Sequence, residues 1–105
     1  MRVLKFNVDA QRLTRDHTCD FTELVAGSVN YLAAQFDFSE EWKDCVIVAR
    51  FWRGEKESAA YVENNTCVIP AEVLTGPTFR VSLIGQRGDY RITTNRVLVR
   101  QEVNR

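Results

Sequence analysis

The chain has 105 residues, 45% of them hydrophobic, with 14 Lys+Arg balancing 14 Asp+Glu. That length suits a single domain spanning residues 1–105 with one thin core, and a formal net charge of zero gives no overall field to attract nucleic acid or an anionic membrane. Three cysteines without a C-x-x-C pair cannot close a complete disulfide framework, and no apolar run reaches the length of a membrane span, so the expectation is a soluble chain with reduced cysteines.

Arg2 to Val8 alternates with period two, and Leu4, Phe6 and Val8 form its inward set. Asp9-Ala10 is a turn, and Gln11 to Arg15 a short partner strand. Asp16 to Gly27 is polar and acid-bearing, a loop carrying a weak strand. Ser28 to Phe38 reads as a central core strand, with Leu32, Ala34, Phe36 and Phe38 on one face. Ser39 followed by Glu40 and Glu41 suits a single 3₁₀ turn capped by the serine, with Trp42 folded back as a plug over the end of the core.

CVIVARFWR is the most apolar strand, expected to be covered on both sides near Val46 and Val48. Arg53 to Lys56 turns, Ser58 to Glu63 returns, and Asn64-Asn65 turns again. Thr66 to Ile69 is a short strand ended by Pro70, which also suits the start of a short helical turn over PAEVL. Thr78 to Ile84 alternates cleanly, with Phe79, Val81 and Leu83 inward. Gly85 to Gly88 turns, Tyr90 to Thr93 pairs back, Asn95 turns, and Arg96 to Val103 is a last strand. Seven to nine short strands at this spacing predict an all-β antiparallel sandwich with one or two short helical turns.

The blocks NYLAAQFDFSEEW, NNTCVIPAEVL, FRVSLIG and YRITTNRVLV, in that order, resemble small immunoglobulin-like β-sandwich modules of phage and prophage tails and baseplates from Gram-positive bacteria. The resemblance covers roughly residues 28 to 103 and carries no catalytic signature. It implies a non-enzymatic virion structural protein that meets other virion proteins and copies of itself, located in the virion and, during assembly, in the host cytoplasm. Trp42, Pro70 and Gly85 match its pattern, with the physical jobs of core plug, strand terminator and turn.

The chemistry-bearing residues have plainer readings. His17 lies near Asp16, Cys19, Asp20 and Glu23, but one His and one Cys fit no zinc spacing, so the stretch reads as a solvated loop with no metal. Cys45 and Cys67 sit in apolar strand patterns that disfavour a thiolate nucleophile. No catalytic or cofactor-binding set assembles. Arg50, Trp52, Arg53 and Lys56 could touch phosphate or stack on bases, yet Glu55 and Glu57 lie among them, and no nucleic acid is expected. Trp, Tyr and Arg concentrate at the energetic centres of interfaces, which makes Arg50, Trp52, Arg53 and Tyr61 the candidate interface residues. The alternative function is a small carbohydrate- or ligand-binding module using Trp52 and Tyr61 for stacking, and a weaker one an accessory or inhibitor-like domain acting on a host protein. Arg91, Arg96 and Arg100 read as a solvated sheet face.

Overall fold

The computed structural model describes residues 1–103. Among the described residues nine strands form two facing sheets: β1 (Arg2–Asp9), β2 (Arg12–Arg15), β3 (Leu32–Phe38), β4 (Val46–Arg53), β5 (Lys56–Val62), β6 (Thr66–Val68), β7 (Thr78–Arg87), β8 (Tyr90–Thr93) and β9 (Val97–Arg100). The 3₁₀ turns are Glu40–Trp42 and Ala71–Val73. One sheet runs β2-β1-β3-β6, and the other runs β5-β4-β7-β8 with β9 also paired to β7.

The first sheet departs from the antiparallel expectation. β1 and β3 run parallel in register from Arg2↔Leu32 to Val8↔Phe38. Both strands alternate from the same starting phase, so the parallel register sets Leu4 beside Ala34 and Phe6 beside Phe36 on the buried face. A parallel pair needs a long crossover. Residues 10–31 supply it with a short hairpin strand and an irregular loop instead of a helix. β3 also begins later than its alternation suggests, because Asn30 takes a left-handed φ of 54° just before it.

The crossover loop is held by its own polar groups. In Asp16-His17-Thr18 and again in Asp20-Phe21-Thr22, an aspartate Oδ1 accepts both the backbone N–H and the hydroxyl of the threonine two residues on. The Arg2 guanidinium donates to the carbonyls of Asp20, Thr22 and Glu23, gathering the loop onto β1. Beyond it, Val25 makes an isolated parallel bridge to Glu102.

The core lies between the sheets. Leu4, Phe6, Val8, Leu32, Ala34 and Phe36 face Ala49, Phe51, Phe79, Val81, Leu83 and Val99. Aromatic rings run across the first sheet: Phe21 meets Phe6 edge-on at 5.4 Å, Phe6 stacks on Phe36 at 5.5 Å, and Phe38 links Phe36 to Trp42 at 5.7 and 5.4 Å. Trp42 is 2% exposed, and its indole N–H donates to the Ala10 carbonyl at 2.8 Å. It is the plug that its position after the acidic turn predicts. Ser39, in contrast, makes no cap; its hydroxyl accepts from the Ala10 N–H at 2.8 Å and ties the turn to the β1–β2 hairpin.

Gly85 is not in a turn, since β7 continues through it to Arg87. It is glycine because the indole lies against it: a Cβ there would sit 2.8 Å from Trp42 Cε3 and 3.1 Å from Ile92 Cγ2. Pro70 does follow the end of β6 and leads into the second 3₁₀ turn.

The sheets are joined along their sides in two ways. On one side β5 passes into β6 through Asn64-Asn65, both left-handed at φ 53° and 63°, and Glu63 and Thr66 exchange backbone hydrogen bonds of 3.0 Å. On the other, the Asn95 side chain imitates a strand: its Oδ1 accepts from the Leu13 N–H at 2.7 Å and its Nδ2 donates to the Leu13 carbonyl at 3.0 Å.

Two stability changes follow from these contacts. Gly85→Ala is expected to lower the unfolding free energy by about 1–3 kcal/mol through overpacking, and to cost measurably less in a Trp42→Leu background when both are titrated with urea. Equal costs in the two backgrounds would remove the indole as the cause. Asn95→Ala, which strands a donor and an acceptor on β2, is expected to cost about 1–3 kcal/mol. Asn95→Asp should fail to restore stability, because a carboxylate cannot donate to the Leu13 carbonyl.

Candidate functional site

β4, β5 and β7 alternate, so one set of side chains enters the core and the other lies on the outer face of the five-stranded sheet. The register puts Val46 beside Gln86, Tyr61 beside Val48 and Ile84, Ala59 beside Arg50 and Ser82, and Glu57 beside Trp52 and Arg80. Across β7, Thr93 extends the Ile84 row and Leu98 the Arg80 row. The face is thus divided. One end is arginine-rich around Trp52, and the other is an apolar strip.

At the first end, Trp52 is only 6% exposed although it lies outside the core. Two guanidinium groups cover it: Arg50 at 4.9 Å and Arg96 at 4.0 Å from the ring centroid. Each cation is attracted by the negative face of the indole. Arg50 also donates two hydrogen bonds to Glu57, Nε to Oε2 at 2.6 Å and Nη2 to Oε1 at 2.9 Å, a bidentate pair whose planar fork fixes the guanidinium. Hydrogen bonding from Arg50 holds the Glu57 carboxyl below its ordinary range, with a smaller contribution from the Arg96 charge.

At the other end, Tyr61 is 69% and Val46 62% exposed, with Val48 and Ile84 half-buried between them. A shallow groove of about 170 Å³ runs beside Val48, Ala59, Ala60 and Tyr61. Burial on both sides was expected for Val46 and Val48, but among the described residues no element crosses this end of the face, and Val46 stays 62% exposed while Ala49 and Phe51 on the other side of β4 are buried.

Of the four candidate interface residues, Arg50, Trp52 and Tyr61 share this face. Arg53 belongs to the opposite phase of β4, and its side chain runs along Gly76, where an added Cβ would meet Arg53 Cδ at 3.1 Å. Trp52 and Tyr61 stand four positions apart in register, about 13 Å at the rise of a strand. One sugar ring cannot lie against both. Arg96 was expected to be a solvated stripe residue, and instead it shields the indole. Sequence spacing gave no hint of that, because Arg96 lies in the break before β9, and β7 separates β9 from the β4 strand that carries Trp52.

The remaining candidates are scattered. His17 is exposed on the crossover loop, and no group of three or more His, Cys, Asp or Glu side chains converges among the described residues as metal binding requires. Cys67 is buried, which pushes its thiol up to about 12, whereas Cys19 and Cys45 are half-buried. At the end of the sandwich, Tyr90 donates its hydroxyl to the Glu41 carbonyl at 2.9 Å, Arg87 donates to the Lys43 carbonyl, and the Arg87 guanidinium stacks on Tyr90 at 4.3 Å. These contacts anchor the loop that carries Trp42.

Four carboxyls are held low by hydrogen bonds: Asp16 by Thr18, Asp20 by Thr22, Glu41 by Ser39 and Glu57 by Arg50. A folded-state pKa below the unfolded one gives stability that is present above the unfolded value, about 4, and is lost as pH falls through the folded value. The urea midpoint is therefore expected to drop on acidification below about pH 4, and Glu57→Gln should flatten part of that drop. An unchanged acid profile in this variant would show that the Arg50–Glu57 pair carries none of it. Comparison of the chain with protein-family models, curated proteins and solved structures returns no match.

Proposed function

We propose that this chain is a non-enzymatic structural module of a phage or prophage virion, an immunoglobulin-like tail or baseplate component that docks onto other virion proteins through the outer face of its five-stranded sheet. The observation that carries the reading is the strip of Tyr61, Val48, Val46 and Ile84 left open to solvent on that face, with Tyr61 at 69% and Val46 at 62% exposure. Exposed apolar patches rimmed by polar residues mark interaction surfaces. This one is flanked by Arg50 and Arg91, and an aromatic anchor beside arginines is the usual composition of an energetic centre.

The virion setting is supported by the block resemblance. Its blocks fall on β3 with the Trp42 turn, on the Asn64-Asn65 corner with β6 and Pro70, on β7, and on β8 with β9. These segments build the core and its corners. Carbohydrate binding has less support, since Trp52 already has Arg96 over its ring.

The test is mass spectrometry of gradient-purified particles released after prophage induction of the source strain, with peptides of this chain counted against an abundant coat protein. A fixed ratio is expected. Presence only in the soluble lysate would sink the virion reading. In the same particles, a Val46→Asp/Tyr61→Ala variant that keeps its thermal midpoint is expected to be incorporated about tenfold less than the unmodified chain.

A further inference from the structure

The two sheets have four edges, and three carry a device that prevents pairing with another chain. On β2, Leu13 spends its outward N–H and carbonyl on the Asn95 side chain. β6 is three residues long. The edge made by β8 and β9 is broken at Thr94 to Arg96, where the Thr94 hydroxyl replaces a backbone acceptor for the Leu83 N–H at 2.9 Å. β5 has none of these: it is seven continuous residues, with no proline and no bulge against β4, and its single lysine stands at the hairpin turn. Folded proteins blunt long flat edges, so an edge left open beside an exposed apolar strip is a pairing surface.

The free backbone groups follow from the hairpin. β4 and β5 join through Gly54-Glu55, with Arg53 opposite Lys56. A two-residue loop makes that flanking pair hydrogen-bonded, and the antiparallel alternation then turns the N–H and C=O of Glu57, Ala59 and Tyr61 away from β4. Glu63, next in the same alternation, does turn away: it exchanges both backbone bonds with Thr66.

We propose that the occupant of this edge is a second copy of the same chain, β5 antiparallel to β5, about a two-fold axis passing through Ala59. The register that sets Ala59 opposite Ala59, and Glu57 opposite the second copy's Tyr61, engages every outward group of these three residues on both strands. Sliding the copies toward the corner opposes Glu57 to Glu63, whose backbone is already committed to Thr66. Sliding them toward the hairpin leaves Tyr61 against Glu55 in the turn. Within the Ala59 register no like charges face one another, the Glu57 carboxylate meets a phenol donor, and a methyl side chain at the axis leaves room for close approach. Across the axis the row of Ile84, Val48 and Tyr61 runs on into Glu57, Trp52 and Arg80 of the second copy, so the apolar end of each outer face meets the arginine-rich end of the other. The pairing is isologous, so it closes at two copies and joins two five-stranded sheets into one continuous sheet.

A ladder of this length buries less than the roughly 1,200 Å² at the lower bound of stable specific interfaces, which places the pairing among weak associations. Copies held near one another by a common scaffold pair at a far higher effective concentration. The inference rests on the docking reading for its setting, while the pairing itself is a property of the isolated chain.

Sedimentation equilibrium up to near-millimolar protein is expected to show a monomer–dimer equilibrium. Ala59→Lys, on the exposed face at the axis, should weaken it by about tenfold or more with an unchanged thermal midpoint. Ala59→Cys should cross-link to a covalent dimer under mild oxidation, because hydrogen-bonded antiparallel partners have Cα atoms about 5.5 Å apart, within disulfide reach. The unmodified chain with its own free cysteines sets the baseline, and Val68→Cys on β6 serves as the control edge. A chain that stays monomeric, a dimer indifferent to Ala59→Lys, or cross-linking at Val68→Cys in place of Ala59→Cys would each overturn the proposal. A monomer found in particles at fixed ratio sinks the two-fold pairing alone, and a dimer absent from particles sinks the virion reading alone.

Discussion

The architecture depends on where one indole is allowed to lie. Trp42 leaves the first sheet on a three-residue turn, gives its N–H to the β1–β2 hairpin at Ala10, and presses its ring onto Gly85 in the second sheet. A buried Trp combines a large apolar area with a donor that must be satisfied, and this site supplies both requirements from different sheets. The spacing between the layers at this end is therefore set by a ring against a backbone. The acidic turn, the missing side chain at residue 85 and the Tyr90 and Arg87 contacts to Glu41 and Lys43 all serve that placement.

Neutral overall charge conceals an uneven distribution. Among residues 1–44 acids outnumber bases, and among residues 45–105 the reverse holds. The second stretch supplies most of the outer face of the five-stranded sheet, where Arg50, Arg80, Arg91 and Arg100 meet few carboxylates. Arginine has two uses there. Arg50 is locked by Glu57 and, with Arg96, forms the cover of Trp52. Arg80 and Arg91 extend into solvent. An outer sheet face that buries a tryptophan beneath cations, and leaves a tyrosine bare a few residues away, has been differentiated along its length.

Much of this was legible in the chain. Period two identified the inward sets of β1, β3 and β7, and the turn signals at Arg53 to Lys56 and at Asn64-Asn65 fixed the hairpins, because those signals are local. What escaped was non-local. Nothing in Arg2 to Val8 says that its neighbour runs parallel, since alternation is blind to strand direction. Gly85 looked like a turn residue because a glycine among polar residues usually is one, and only the distant Trp42 ring explains it. The exposure of Val46 escaped for the same reason: an apolar residue advertises burial whether or not the fold brings an element over it. At the candidate site strand phase separated Arg53 from Arg50, Trp52 and Tyr61, and a cation from the approach to β9, Arg96, closed over the Trp52 ring.

The two sides of the sandwich are closed by unlike means. One is a covalent corner, where β5 becomes β6 within two left-handed asparagines; the other is a side-chain amide bridging Leu13 and the broken edge of the second sheet. The corner cannot part without unfolding a hairpin, whereas the other side is held by hydrogen bonds alone: the two of the Asn95 amide, the Gln11 amide to the Thr93 carbonyl at 3.1 Å and the Asn95 N–H to the Gln11 carbonyl at 3.4 Å. Any opening of the layers is therefore expected to hinge like a book, with its spine at Asn64-Asn65 and its pages parting at β2, so that amide exchange would be fastest on the β2 side.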